Sequence, residues 1–156
     1  MNLSELAHNL AADLHRSEPE RPVDWHIEDD LFVMADPGLM RVVMQNLLGN
    51  AWKYAGQREV AAISVTKTGQ RDGMVEFCVR DNGAGFDMAY AEQLFQPFRR
   101  LHAHHEFEGS GVGLATVARV VRRHGGDVRG EGVVGEGAAF YVRLPEVPVT
   151  SDLTTW

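Results

Sequence analysis

The sequence is nearly free of cysteine, since Cys78 is the one thiol among 156 residues. A single thiol excludes an internal disulfide and a zinc site built from several cysteines, and it suits a reducing compartment. No apolar run approaches the length of a membrane span, and the opening MNLSELAHNL lacks the basic start and long apolar stretch of a secretory signal. These absences predict a cytoplasmic domain without membrane contact.

Positive charge is also scarce, because 15 lysines and arginines face 22 acidic residues and leave a net charge of −7. This balance argues against nucleic acid as a partner, since a phosphate backbone selects basic surfaces. The length and the 44% share of hydrophobic residues fit one globular domain with a substantial core. We place that domain at residues 1–145 and expect residues 146–156, which show no periodic pattern, to form a flexible tail.

Hydrophobic periodicity predicts helices and strands that mix without strict alternation. Helices are predicted to about His15 after a Ser4 cap, over Pro37–Tyr54 after an Asp36 cap, over Met88–Phe95 and over Val112–His124. Strands are predicted at PVDWHIE, LFVMAD, AAISVTKT, MVEFCVRD, DVRGEGV and AAFYVRLP, with an Asp72-Gly73 turn joining the third and fourth as a hairpin. The expected fold is an α/β (α+β) sandwich, a mixed β-sheet covered on one face by helices.

Glycine is concentrated in the second half of the chain, where GSGVGLATV runs from Gly109 into the last predicted helix. Bare backbone amides at a helix N-terminus can hold a phosphate, and a flexible loop is the alternative reason for the glycines. Two familiar phosphate loops are excluded. Leu114 stands where a dinucleotide-binding fingerprint has its third glycine, and the segment lacks the lysine of a P-loop.

The helix predicted over Pro37–Tyr54 carries two stripes. Its apolar residues repeat at helical spacing and form a core stripe, while Asn46, Asn50, Lys53 and Tyr54 recur at i, i+4, i+7 and i+8 on the neighbouring stripe. An asparagine oxygen suits Mg²⁺, and a lysine one turn on can meet a phosphate. Surface amides and a solvated lysine are the alternative interpretation of this stripe.

Asp81 ends an alternating strand and is followed by Gly83 and Gly85 in VRDNGAGF. A carboxylate there can accept a hydrogen bond from an exocyclic amine, and the glycines allow backbone to come close to a flat ring. An ordinary Asp-Asn-Gly turn after a strand has the same letters. This motif by itself leaves both interpretations open.

Five segments stand in a fixed order: NLLGNAWKY, DNGAGF, LFQPFRRL, GSGVGLATV and GEGAAF. Together they resemble the catalytic and ATP-binding domain of sensor histidine kinases, within the superfamily of gyrase-type, mismatch-repair and heat-shock chaperone ATPases. The resemblance runs from about Leu3 to Pro145 and implies a Bergerat-type ATP-binding fold with a mobile lid. It also implies that ATP and Mg²⁺ are bound, and that the γ-phosphate goes to a histidine on a dimerisation and phosphoacceptor domain absent from this chain, with a response regulator downstream.

The resemblance assigns roles residue by residue. It implies that Asn50 ligands Mg²⁺ with Asn46 in support, that Lys53 reaches the phosphates and that Tyr54 packs beside the nucleotide. The other positions that it implies are Asp81 on the adenine amine, Gly83 and Gly85 beside the base, Phe95 and Phe98 at the base of the lid, Arg100 and its neighbour Arg99 near the γ-phosphate, and Gly109, Gly111, Val112, Gly113 and Leu114 around the phosphates. The expected catalytic residues are Asn50, Lys53 and Arg100.

None of the seven histidines lies in the setting of a phosphoacceptor, so the isolated domain is expected to bind ATP without phosphorylating itself. We also expect a monomer, because dimerisation in this family resides mainly in the missing hairpin domain. The phosphoacceptor is expected on another part of a parent protein or on a separate partner.

Two positions depart from the wider pattern. Asn46 stands where ATP-hydrolysing members carry a glutamate that activates water, and an amide cannot take that proton. This favours phosphate transfer and disfavours a gyrase- or chaperone-like ATPase. Ala139 stands where the family usually has a serine or threonine, and the missing hydrogen bond near adenine is worth about 0.5–1.5 kcal/mol. A degenerate module that binds nucleotide weakly, or binds only a partner protein, therefore stays as an alternative.

Overall fold

The computed structural model describes residues 1–96 and 113–147. Three α-helices, one 3₁₀ helix and five strands lie in these two ranges. In chain order they are α1 (Leu3–Ser17), β1 (Val23–Ile27), α2 (Pro37–Tyr54), β2 (Ala61–Arg71), β3 (Met74–Asp81), the 3₁₀ helix (Met88–Gln93), α3 (Gly113–Arg123), β4 (Asp127–Val133) and β5 (Gly137–Pro145).

The five strands form one mixed sheet in the order β1-β2-β3-β5-β4. β1 runs parallel to β2, and the other three pairs are antiparallel. Alternate residues of β3, namely Val75, Phe77 and Val79, are buried in the core shared with the helices, whereas Arg80 on the other face is exposed. The predicted sandwich, with helices on one face of a mixed sheet, is therefore confirmed. No helix among the described residues is long and apolar enough to cross a bilayer.

Helix α2 begins and ends at the predicted residues. The Asp36 carboxylate accepts a hydrogen bond from the Leu39 amide at 2.9 Å, and Pro37 occupies the first turn, where its missing N–H leaves nothing unsatisfied. Its apolar stripe is fully or almost fully buried, and comprises Met40, Val43, Met44, Leu47, Leu48 and Ala51. This buried stripe fixes the rotation of α2 about its axis and so fixes where the neighbouring polar stripe faces.

The predicted Ser4 cap of α1 is wrong. The cap is Asn2, whose side chain accepts from the Glu5 amide at 3.1 Å, and the helix continues to Ser17. Ser4 lies inside the helix, where its buried hydroxyl donates to the Glu28 carbonyl at 2.5 Å and accepts from the Leu31 amide at 3.0 Å. A buried hydroxyl needs partners, and Ser4 finds them in the loop that follows β1.

The second predicted strand, LFVMAD, is also wrong. In this segment Phe32 makes an isolated bridge to Asn2, while Leu31 and Val33 are buried. Its backbone partners among the described residues are the first residues of the chain and Pro145, and no continuous strand of residues 1–96 and 113–147 pairs with it. Its alternating apolar pattern reflects burial on one side without a full ladder.

The remaining local predictions agree with the structure apart from small shifts at the ends. The β2–β3 hairpin turns at Asp72 and Gly73, both with positive φ, as a two-residue turn of this composition requires. The short helix ends at Gln93 and is of the 3₁₀ type. Helix α3 ends at Arg123 before Gly125, which has a φ of +80°, and its predicted first residue, Val112, lies outside the described residues.

Candidate functional site

The polar stripe of α2 comprises Asn46, Asn50, Lys53 and Tyr54, and all four side chains are half-buried. Asn46 donates to the Val42 carbonyl one turn earlier at 2.8 Å. Lys53 Nζ lies 5.7 Å from the centre of the Tyr54 ring. The Asn50 amide has no hydrogen-bond partner within residues 1–96 and 113–147, so its oxygen is available to a ligand.

Asp81 ends β3 in a buried position with 7% of its surface exposed. Its carboxylate accepts a hydrogen bond from the Gly83 amide at 2.8 Å and another from the Ala138 backbone. Burial raises the pKa of Asp81 to about 6, and the two backbone hydrogen bonds offset only part of that effect. A donor placed against this carboxylate would restore its preference for the ionised form.

Gly83 and Gly85 fit the loop after Asp81 tightly against protein backbone. A Cβ on Gly83 would lie 2.5 Å from the Tyr54 carbonyl oxygen, and the next amide, that of Ala84, donates to the same oxygen at 3.1 Å. Gly85 has a φ of +69°, and its Cβ would lie 2.1 Å from the Val133 carbonyl oxygen. These contacts join the Asp81 loop to the C-terminal end of the α2 polar stripe.

Gly113 brings the N-terminus of α3 against the other end of the same stripe. A Cβ on Gly113 would lie 2.6 Å from Asn46 Oδ1. The following residue, Leu114, packs against the hydrophobic core. Because the first amides of a helix have no partner within the helix, this contact sets those N–H groups and a partial positive charge close to Asn46.

The polar stripe of α2 therefore has the Asp81 loop at one end and the start of α3 at the other. Phe95, half-buried, packs edge-on against Phe140 with ring centres 6.3 Å apart. The other residues that the resemblance assigns lie outside the described residues, and these are Phe98, Arg99, Arg100, Gly109, Gly111 and Val112. Their roles stay predictions.

The strand register corrects the sequence interpretation of Ala139. Ala139 pairs with Arg80, and both belong to the sheet face away from the helices. Ala138 pairs with Asp81 and packs against the core on the helix side. A hydroxyl directed at Asp81 therefore belongs at position 138, where this chain also has alanine.

Sequence reasoning missed two residues beside Asp81. The Asn82 side chain accepts from the Ala62 amide at 2.9 Å and donates to the Val60 carbonyl at 3.0 Å, which fixes the loop to the start of β2. Arg58 donates to carbonyls of the same loop. The position of Asn82 directly after Asp81 was a signal that could have been followed, whereas Arg58 lies in a polar loop without any periodic pattern.

Residues 35–148 match the family of histidine kinase-, DNA gyrase B- and HSP90-like ATPases. The chain belongs to this family. The matched region begins beside the Asp36 cap of α2 and extends past β5, so it contains the polar stripe, the Asp81 loop and α3. The site thus lies within the part of the chain that defines this ATPase family.

Two proteins with sequences similar to this chain are much longer than it is. The chain is 33% identical over 144 residues to the phytochrome-like protein Cph1 of Synechocystis sp., and the aligned region covers 92% of this chain and 19% of that protein. It is 34% identical over 113 residues to the sensor histidine kinase ZraS of Klebsiella oxytoca, which covers 72% of this chain and 23% of that protein. The chain spans less than a quarter of the length of either relative.

Solved histidine kinase structures share the fold. The catalytic domain of histidine kinase ThkA aligns with a TM-score of 0.77 and 25% identity over 95% of this chain and 97% of that one. Full-length ShkA in complex with AMPPNP aligns with a TM-score of 0.77 and 27% identity over 96% of this chain and 31% of that one. The chain is accordingly a catalytic and ATP-binding domain of the sensor histidine kinase type, with the Bergerat-type fold.

Proposed function

We propose that this chain binds Mg·ATP and donates the γ-phosphate to a histidine on a separate dimerisation and phosphoacceptor domain. The observation that carries the proposal is the arrangement along α2. The buried Asp81 carboxylate lies by one end of the polar stripe, and the amides that begin α3 lie by the other. An ATP molecule has a base that donates at one end and anionic phosphates at the other, so it matches both ends of this stripe.

Each described residue has a distinct role in this proposal. Asp81 receives the adenine amine, and Tyr54 packs beside the nucleotide. Asn50 supplies an amide oxygen to Mg²⁺, and Lys53 meets the phosphates. The described residues contain no cluster of three histidine, cysteine or acidic side chains for a metal, so Asn50, phosphate oxygens and water would complete the shell. Mg²⁺ bound there would neutralise charge on the phosphates.

Asn46 favours transfer over hydrolysis. Its amide donates to the Val42 carbonyl, and its oxygen lies against Gly113. A neutral amide held in this way cannot take a proton from water. The γ-phosphate would then be transferred only when an external acceptor is present, and Arg100 is proposed to neutralise its charge.

A weak nucleotide- or partner-binding module is the second candidate. The observation that favours it is Ala138, because the position that faces Asp81 has no hydroxyl to share in binding adenine. This candidate predicts weak nucleotide binding and no phosphate transfer. The two candidates are distinguished by the affinity for ATP and by whether an added phosphoacceptor domain becomes labelled.

The surroundings of the domain are part of the proposal. The relatives are several times longer than this chain and are named as a phytochrome-like protein and a sensor histidine kinase. We place residues 1–145 as the catalytic unit, with the phosphoacceptor histidine elsewhere in a longer protein or on a partner, and a response regulator receiving the phosphate. The unit is proposed to be cytoplasmic and monomeric by itself, and to leave its own histidines unphosphorylated.

The test compares wild type with Asn50→Ala and Asp81→Ala in ATP titrations with and without Mg²⁺. We expect Asn50→Ala to lose the Mg²⁺ dependence of binding and Asp81→Ala to lose the preference for ATP over GTP. Gln45→Ala is the matched control, because Gln45 is an exposed amide on the same helix. Behaviour like that of wild type in both site variants would contradict the assignments.

Phosphate transfer is tested by adding the purified phosphoacceptor domain of a similar sensor kinase and ATP labelled on its γ-phosphate. We expect acid-labile label on the acceptor and none on this chain. Steady release of free phosphate without acceptor would instead favour an ATPase, and absence of binding at millimolar ATP would favour the partner-binding module.

A further inference from the structure

Arg58 lies in the loop between α2 and β2 and donates hydrogen bonds to three backbone carbonyls. Its Nε donates to the Asn82 carbonyl oxygen at 2.5 Å, and its Nη2 donates to that of Gly83 at 3.1 Å. Nη2 also donates to the carbonyl oxygen of Gly135, in the turn between β4 and β5. One guanidinium thus joins the loop that follows Asp81 to a turn that is distant in sequence.

The segment that Arg58 bridges needs such a support. It contains Gly83 and Gly85, and glycine has more backbone freedom to lose than any other residue. Two further hydrogen bonds connect this loop to α2 and to the β4–β5 turn. Ala84 N–H donates to the Tyr54 carbonyl at 3.1 Å, and Gly135 N–H donates to the Ala84 carbonyl at 2.8 Å. The Arg58 guanidinium adds hydrogen bonds between the same elements, because its planar fork presents several donors in fixed directions at once.

We propose that Arg58 is a positioning residue for nucleotide recognition. It holds the Asp81 loop against the end of α2 and against the β4–β5 turn, in the shape that receives the adenine base. Arg58 acts through the carbonyls of Asn82, Gly83 and Gly135 and does not itself touch the nucleotide. This inference rests on the proposed function, since it assigns Arg58 to the base end of the same site.

The variant Arg58→Met removes the donors and keeps a side chain of similar length. Arg58 is exposed, so no core contact is lost. Arg71→Met is the matched control, because Arg71 loses the same charge from the β2–β3 hairpin, where its side chain is 88% exposed. Arg58→Lys keeps the charge but lacks the fork, and it is expected to fall between wild type and Arg58→Met.

The first measurement needs no nucleotide. Amide hydrogen exchange is compared between wild type and Arg58→Met at the amides of Ala84 and Gly135, whose hydrogen bonds connect the same elements that Arg58 connects. We expect exchange there to be about tenfold faster in Arg58→Met, with core amides of β2 and β3 unchanged. Unchanged exchange at both amides, or an equal increase throughout the sheet, would overturn the proposed role.

The second measurement is the affinity of each variant for ATP with Mg²⁺ and for ADP without it. If the loop holds its receptive shape one-tenth of the time, the apparent Kd rises about tenfold for either nucleotide. The effect should be the same for both, because Arg58 acts at the base end, whereas Asn50→Ala should affect the Mg²⁺-dependent case alone. A loss of overall stability would also weaken the binding of both nucleotides equally, but it would speed exchange at the core amides of β2 and β3 as well, which the first measurement detects.

The outcomes separate the two proposals. If Arg58→Met binds nucleotide as tightly as wild type while Asp81→Ala loses the preference for ATP over GTP, the role of Arg58 is refuted and the proposed function stands. If wild type binds neither nucleotide, the proposed function fails, and the positioning role fails with it whatever the exchange rates show.

Discussion

The titration of Asp81 gives a prediction with a magnitude. Burial raises its pKa to about 6 in the unliganded protein. If the adenine amine is received by the ionised carboxylate, affinity follows the ionised fraction, which falls from about nine-tenths at pH 7 to about one-tenth at pH 5. We therefore expect the Kd for Mg·ATP to rise about tenfold between these two pH values and to be nearly flat above pH 7.

Isothermal titration at pH 5, 6 and 7, in buffers of different ionisation enthalpy, measures both the affinity and the protons released. Near pH 6 about half a proton should leave Asp81 for each nucleotide bound, because the ligand favours the ionised form. Asp81→Asn is the control, since it keeps the shape and removes the titration. Any proton release that remains in Asp81→Asn belongs to the phosphates and is subtracted.

The same pKa affects folding, and its sign is opposite to that of a carboxylate in a salt bridge. The folded protein holds the proton of Asp81 up to about pH 6, whereas the ordinary value is 3.8. The free energy of unfolding therefore falls as the pH rises through this window, by at most about 3 kcal/mol. Asp81→Asn should remove that fall in the free energy of unfolding.

The affinity measurements give the result that would refute the proposed role of Asp81. That result is a Kd for Mg·ATP that does not change from pH 5 to pH 7 and equals that of Asp81→Asn.

Three further predictions concern single positions. Ala138→Thr adds a hydroxyl beside Asp81 and should tighten ATP binding by about 0.5–1.5 kcal/mol, whereas Ala139→Thr, on the other sheet face, should not; equal effects in parallel titrations would contradict the register. Burial raises the pKa of the Cys78 thiol, so the native protein should react with a thiol reagent at pH 7 far more slowly than the urea-unfolded chain, and equal rates would contradict this. Asp36→Ala removes the α2 cap and should lower the free energy of unfolding by about 1 kcal/mol in urea titrations, and a loss near zero would contradict the capping role.

Elements set by local chemistry could be predicted from the sequence. Asp36, Pro37 and an unbroken apolar stripe predict helix α2, and Asp72-Gly73 predicts the β2–β3 hairpin. The Ser4 cap failed because two residues of capping type stand close together, and tertiary contacts with Glu28 and Leu31 decide which one lies inside the helix. The prediction of a strand at LFVMAD failed because burial on one side gives an alternating pattern even where, as among the described residues, the segment makes only an isolated bridge.

Some residues of the candidate site could likewise be predicted from the sequence, and others could not. The α2 polar stripe and Asp81 could be found from spacing, because each follows from one helix or one strand end. The choice between Ala138 and Ala139 could not, since it depends on the pairing of β5 with β3, and a shift of one residue exchanges the two faces. Arg58 could not be found either, because its partners are backbone carbonyls of two remote turns and leave no trace in side-chain pattern.

The most direct test of the central claim is a crystal structure of this chain with Mg²⁺ and a non-hydrolysable ATP analogue. We predict one bound molecule along α2, with its adenine amine on Asp81, its Mg²⁺ on Asn50 and its phosphates beside Gly113. A nucleotide bound elsewhere, or one that contacts Asp81 while Asn50 and Gly113 face a different region, would contradict it.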